Sequence, residues 1–364
     1  MGTLHELHEA GQSVWLDFIR RDMLATGELA RMVTDGIRGL TSNPTIFQKA
    51  IGGSDSYDAA IRDALTDDQD SGPLAVYEGL AVADIRDAAD ALLGVYESSA
   101  AHDGYVSLEV SPYLAADTAG TISEAHRLWN LVARPNLMIK VPATPEGIPA
   151  IEELIASGVN VNATLMFSLA DYEAVAQAFV RGIRRAADPH SIASVASFFV
   201  SRVDNITDAA LDKVGSERAL TLRGRTAVAN AKLAYERYLQ IFEGAEFADQ
   251  IERGAQTQRV LWASTSTKNP AYSDVLYVEP LVGPNTVNTM PPATIDAYLD
   301  HGSADGAALL AGMDQAHDHF VALADLGIDF AALAAQLQVD GVQAFADSFA
   351  ELLATVEEKM RALR

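Results

Sequence analysis

The sequence predicts a (β/α)8 TIM-type barrel with extra helices and a C-terminal helix docked on it. Strand-like apolar runs alternate with helix-patterned stretches, eight such runs occur, and no Pro/Gly/Ser-rich linker divides them. Strands are expected at Val14–Phe18, Ile37–Thr41, Tyr105–Val110, Leu137–Val141, Val159–Leu165, Ile192–Phe198, Arg259–Ser264 and Thr286–Met290. With 364 residues the chain can bury a substantial core, and one domain over residues 1–364 is expected.

The first strand carries Asp17, and the second runs into Thr41-Ser42-Asn43-Pro44. A helical excursion from Gly52 to Leu92 follows, with an acidic patch at Asp67-Asp68-Gln69-Asp70 that reads as a solvated loop, since it lacks the glycine and terminal glutamate of a calcium loop. The third strand holds Glu109. The fourth, Leu137-Met138-Ile139-Lys140-Val141, has one charge in an otherwise apolar run, so Lys140 must reach a polar mouth or be held as a neutral amine. A neutral buried lysine can attack a carbonyl to give a Schiff base. The plain alternative is a strand-end lysine whose head reaches water.

The fifth strand offers Asn160, Asn162 and Thr164, and the helix after it opens with a capping box at Ser168-Leu169-Ala170-Asp171. Tyr172, Val175, Ala176, Phe179 and Ile183 then form its apolar stripe, while Ser157-Gly158 and Val214-Gly215 read as helix ends. The sixth strand ends at Ser197 with Arg202 just beyond, and a long, mostly helical crossover from Asp204 to Gln250 follows. The seventh runs into Ser264-Thr265-Ser266-Thr267-Lys268-Asn269. In the tail, Val342, Phe345, Phe349, Leu352, Val356 and Met360 recur at helical spacing, which predicts an amphipathic helix packed on the barrel.

Catalytic groups of such barrels lie at the C-terminal ends of the strands. Each polar residue there has a bland reading alone, as a strand-end charge, a turn or a hydrogen-bonded core pair. Their convergence from seven strands on one face is hard to explain as structure alone.

The formal charge of −24 repels nucleic acid and anionic membrane surfaces, so any anion site must be built from particular cations. Without cysteine the chain can hold no disulfide, thiolate metal site or thiol nucleophile. The eight histidines, His317-Asp318-His319 included, lack a ligand pattern, and neither a dinucleotide loop nor a Walker sequence occurs, so no metal and no cofactor are expected. Neither a signal core nor a membrane-spanning apolar run is found, and a cytoplasmic monomer or homodimer is expected.

Thr41-Ser42-Asn43-Pro44-Thr45 followed downstream by Ile139-Lys140-Val141-Pro142-Ala143-Thr144 resembles the signatures of the transaldolase family. The resemblance continues through Asn162 to Ser168 and Ser197 to Arg202, and covers nearly the whole chain. It implies transfer of a dihydroxyacetone unit from a ketose phosphate, such as sedoheptulose 7-phosphate or fructose 6-phosphate, to an aldose phosphate, such as erythrose 4-phosphate or glyceraldehyde 3-phosphate. That reaction belongs to the non-oxidative pentose phosphate pathway.

By motif position Lys140 resembles the Schiff-base lysine and Asp17 the acid/base that takes the C4 hydroxyl proton. Glu109 is similar to the glutamate that moves protons through a water held by Thr164. Asn43 and Asn162 match residues that bind donor hydroxyls, Thr41 and Ser197 line the same pocket, and Arg202 falls at the phosphate-binding arginine. The chain departs from the family after the seventh strand, where Lys268 is the only cation near the place of a second arginine. A fructose-6-phosphate aldolase is the alternative activity, but such relatives are shorter and lack a glutamate at the Glu109 position. A catalytically silent barrel is the other, against which the complete Asp17, Glu109, Lys140 and Thr164 set argues.

Overall fold

In the computed structural model, which describes residues 2–364, eight parallel strands close a barrel in sequence order. They are β1 (Gln12–Leu16), β2 (Gly39–Thr41), β3 (Tyr105–Glu109), β4 (Leu137–Pro142), β5 (Val161–Met166), β6 (Ser194–Phe199), β7 (Arg259–Ala263) and β8 (Thr286–Met290). All eight expected strands form. The largest change is at β1, which lies two residues earlier than expected, so Asp17 follows the strand rather than standing in it. β2 is reduced to three residues, where Gly39 is required because a Cβ would stand 2.5 Å from the Trp15 ring.

Side chains alternate between the barrel interior and the surrounding helices. At the N-terminal end, buried Asp103 accepts hydrogen bonds from Ser13 Oγ at 2.7 Å, Arg259 at 3.0 Å and Trp15 Nε1 at 3.3 Å. Burial alone would push the Asp103 carboxyl up, but the Arg259 charge and these bonds hold it below the usual aspartate range. Asn160 belongs to this same end, which corrects its grouping with Asn162 and Thr164. It lies ahead of β5, donates to the carbonyls of Pro135 and Leu137, and accepts from Ala193 N–H, so it staples the strand starts together.

The helix after β5 has its capping box at Ser168 and Asp171, and its expected stripe is buried. Gly158 and Gly215 end their helices at positive φ. The Gly52–Leu92 excursion contains the helices Asp58–Asp67 and Pro73–Ser98, the second running past the expected end. It braces the C-terminal helix Phe330–Leu363, because Lys359 Nζ donates to Ser54 O and Asp58 Oδ1 while Tyr77 meets Phe349 edge-on. Phe345, Phe349, Leu352, Val356 and Met360 are buried as their spacing predicts, and Val342 is half-buried.

That helix crosses the C-terminal mouth of the barrel. Gln338 Nε2 donates to Ala143 O at 2.9 Å and Leu165 O at 3.2 Å, tying it to the ends of β4 and β5. Leu165 has a positive φ, where the β5–β6 register slips, so β5 bends at the point of attachment. No single described helix is long and apolar enough to cross a membrane.

Candidate active site

A cavity of about 580 Å³ opens at this mouth, lined by Asp17, Thr41, Asn43, Lys140, Thr164, Ser197, Arg202 and Lys268. Its floor is set by the alternation that buries the preceding residues of each strand and lets the last inward-facing one reach the opening.

Lys140 is 4% exposed, and its Nζ donates to Glu109 Oε2 and to Ser42 O, each at 3.3 Å. The surroundings are polar on that side, as one of the two alternatives for a charge in this apolar strand requires. On the other side Nζ stands 5.5 Å from the centre of the Phe345 ring. Glu109 itself does not line this cavity. It forms part of a second one, of about 660 Å³, bounded by Tyr77, Leu128 and Phe349, so the Lys140–Glu109 pair stands between the two. Burial pushes the Glu109 carboxyl up, against the pull of Lys140.

Asp17 Oδ1 accepts from Thr41 Oγ1 at 2.7 Å, and Thr41 Oγ1 also lies 2.6 Å from Thr289 Oγ1. Burial pushes the Asp17 carboxyl up, while the Lys140 charge, the Thr41 hydroxyl and the Lys268 charge pull it back. A carboxyl raised but still drawn toward ionisation suits a group that takes and returns a proton.

Asn43 caps the Pro44–Gly52 helix through Oδ1, which accepts from Ile46 N–H at 3.0 Å, and this leaves its amide N–H groups for the cavity. Asn162 is fully buried under the floor, donating to Ser107 Oγ at 3.0 Å and accepting from Ser197 Oγ at 2.7 Å. It lies behind Ser197, which does line the cavity, and positions that hydroxyl. Thr164 Oγ1 is buried in the cavity wall and has no hydrogen-bond partner among the described residues.

Arg202 sits in the first turn of the Ser201–Val214 helix, whose N-cap, Val200, supplies no side-chain acceptor. Its guanidinium lies over the Phe199 ring and forms no ion pair among the described residues. Lys268 Nζ donates to Ser266 Oγ at 2.9 Å. The cavity also holds Lys49, Asn205, Thr289 and Phe345, none of which was singled out as a site residue from sequence. Thr289 obeys the same strand-end rule as the others, at the end of β8. Lys49 and Asn205 stand on helices, where no strand-end pattern marks them. Among the lining residues Lys49, Lys140, Arg202 and Lys268 face one carboxylate, Asp17, in a chain of charge −24. Such a cavity attracts an anion.

Residues 14–356 match the family model described as transaldolase/fructose-6-phosphate aldolase. A protein of Frankia alni named transaldolase is 48% identical over 362 residues, covering 98% of this chain and 97% of its own. One of Thiobacillus denitrificans with the same name is 48% identical over 361 residues, covering 98% and 100%. Another, from Thermobifida fusca, is 46% identical over 371 residues and covers both chains fully.

Proposed function

The chain belongs to the transaldolase/fructose-6-phosphate aldolase family, and from that premise we propose that it moves a dihydroxyacetone unit between sugar phosphates through an imine on Lys140. Relatives named transaldolase align over nearly their whole length, which makes this an enzyme of that kind. The observation that carries the reading is Lys140 Nζ in the cavity wall, 3.3 Å from the Glu109 carboxylate, with Asp17 lining the same cavity.

Lys140 passes a proton to Glu109, and the free amine attacks C2 of the ketose phosphate. A proton moves from nitrogen to oxygen in the adduct, Glu109 returns its own to that oxygen, and water leaves, so the iminium forms without net proton uptake. Asp17 then removes the C4 hydroxyl proton as the C3–C4 bond breaks, with the electron pair passing into the iminium to give an enamine. The aldose phosphate departs. An acceptor aldehyde is attacked by the enamine carbon, Asp17 returns its proton to the new C4 oxygen, and hydrolysis frees Lys140.

Arg202 and the uncapped N-terminus of its helix take the phosphate, with Lys268 as a second charge. Asn43, Thr41 and Ser197 fix the hydroxyls, and Thr164 holds the water of imine formation and hydrolysis. Fructose 6-phosphate with erythrose 4-phosphate should therefore yield sedoheptulose 7-phosphate and glyceraldehyde 3-phosphate. Rapid release of free dihydroxyacetone without an acceptor would favour the aldolase reaction instead.

A further inference from the structure

The segment between β7 and β8 carries Lys268 and is long and largely irregular, with one short helical turn at Glu279–Leu281. Connections of this length inside a compact fold need specific anchors to hold a single shape. Two tyrosines of the segment supply them. Tyr272 OH donates to Asp208 Oδ2 at 2.6 Å, and Tyr277 OH donates to Asp204 Oδ2 at 2.9 Å.

Asp204 and Asp208 lie one turn apart on the same face of the Ser201–Val214 helix, whose first turn bears Arg202. Each carboxylate is pinned from a second direction as well. Asp204 Oδ1 accepts from Ala227 N–H at 2.7 Å and Asp208 Oδ1 from Gly224 N–H at 2.9 Å, both at the start of the Thr226–Phe242 helix. The helical crossover that exceeds a minimal barrel thus has a mechanical use, since it clamps the carboxylates that receive the tyrosines.

We propose that Tyr272 and Tyr277 are positioning residues, which by bonding Asp208 and Asp204 hold the Lys268 segment in register with the helix that carries Arg202. The inference rests on the reading of these two cations as the phosphate site. Burial and the adjoining carboxylates keep both tyrosines well above their ordinary pKa, so they remain donors through the working pH range. A displacement of even about 1 Å at such a contact is enough to weaken recognition strongly.

The test measures kcat and KM for Tyr272→Phe, Tyr277→Phe, Lys268→Ala, Arg202→Ala and the Tyr272→Phe/Lys268→Ala double variant, with fructose 6-phosphate and unphosphorylated fructose as donors. Each tyrosine variant should raise KM for fructose 6-phosphate roughly fivefold, with kcat and the fructose reaction little changed, and the Tyr272→Phe effect should vanish when Lys268 is already alanine, as coupled neighbours require. Thermal unfolding checks that the phenylalanine variants remain folded. Equal losses with both donors, or effects that add fully in the double variant, would show a merely structural role and overturn the proposal. Silent tyrosine variants beside a responsive Arg202→Ala also overturn it, and leave the phosphate reading intact. A silent Arg202→Ala overturns the phosphate reading and this inference with it.

Discussion

Glu109 and Lys140 are register partners on adjacent strands, and their side chains meet at 3.3 Å where β3 ends and β4 runs on for two more residues. Parallel pairing brings both side chains to the same face at the same height, so the carboxyl that moves the proton is built into the sheet beside the nucleophile. Replacing it with an amide removes the proton transfer and keeps the shape. Glu109→Gln should slow imine formation and hydrolysis by ~10²–10⁴-fold, read by rapid-quench trapping of the adduct. The C3–C4 step, followed separately, should change far less.

Asp17 should control carbon–carbon cleavage. Asp17→Ala is expected to form the imine with fructose 6-phosphate and then stall, at a cost of ~10²–10⁴-fold in turnover. Accumulation of the six-carbon adduct, seen by mass after reduction, checks this.

The acid limb of turnover follows from the same carboxyls. Burial raises both Asp17 and Glu109, so activity should appear, as pH rises, above the usual carboxylate range, and the limb belongs to the coupled pair. The Thr41 hydroxyl favours the Asp17 carboxylate, so Thr41→Val should move the limb to higher pH. A kcat profile between pH 4 and 8, on the order of the span these groups can cover, measures the shift. A limb that stays put or moves down would contradict the assignment.

Phe345 closes the cavity over Lys140 from the C-terminal helix. Phe345→Ala should admit water to the intermediate and raise the release of free dihydroxyacetone in the absence of acceptor, while lowering transfer. The ratio of the two rates is the measurement, since a general loss of activity would leave it unchanged.

For the phosphate, Arg202→Ala should weaken use of phosphorylated donors by about 2–5 kcal/mol, as expected for a desolvated charge pair, and affect unphosphorylated fructose much less. Lys268→Ala should act in the same direction and less, as a point charge without a fork. The ratio of kcat/KM for the two donors reports each contribution.

The barrel was legible because apolar runs bounded by polar residues are what a buried parallel strand leaves in a sequence. The same rule exposed Asp17, Thr41, Lys140, Thr164 and Ser197, since a polar group interrupting such a run must point into the mouth. It could not separate Asn160 from Asn162 and Thr164. They share a two-residue period, but Asn160 stands at the opposite end of the barrel. Nor could it show that Glu109 faces a second cavity, or that Asn162 bonds Ser107 and Ser197, because periodicity gives the face and not the neighbour across it. Phe345 was visible only as an apolar position of a docking helix. Its place over Lys140 depends on where that helix crosses the mouth, which Gln338 and Leu165 determine through tertiary contacts.

The central claim is that Lys140 is the nucleophile. Borohydride added during reaction with fructose 6-phosphate and no acceptor, followed by peptide mass mapping, tests it directly. A three-carbon dihydroxyacetone adduct on the peptide containing Lys140, with loss of activity in step with labelling, is the expected result. An adduct on another lysine, or full inactivation resistance with no adduct at all, would contradict it.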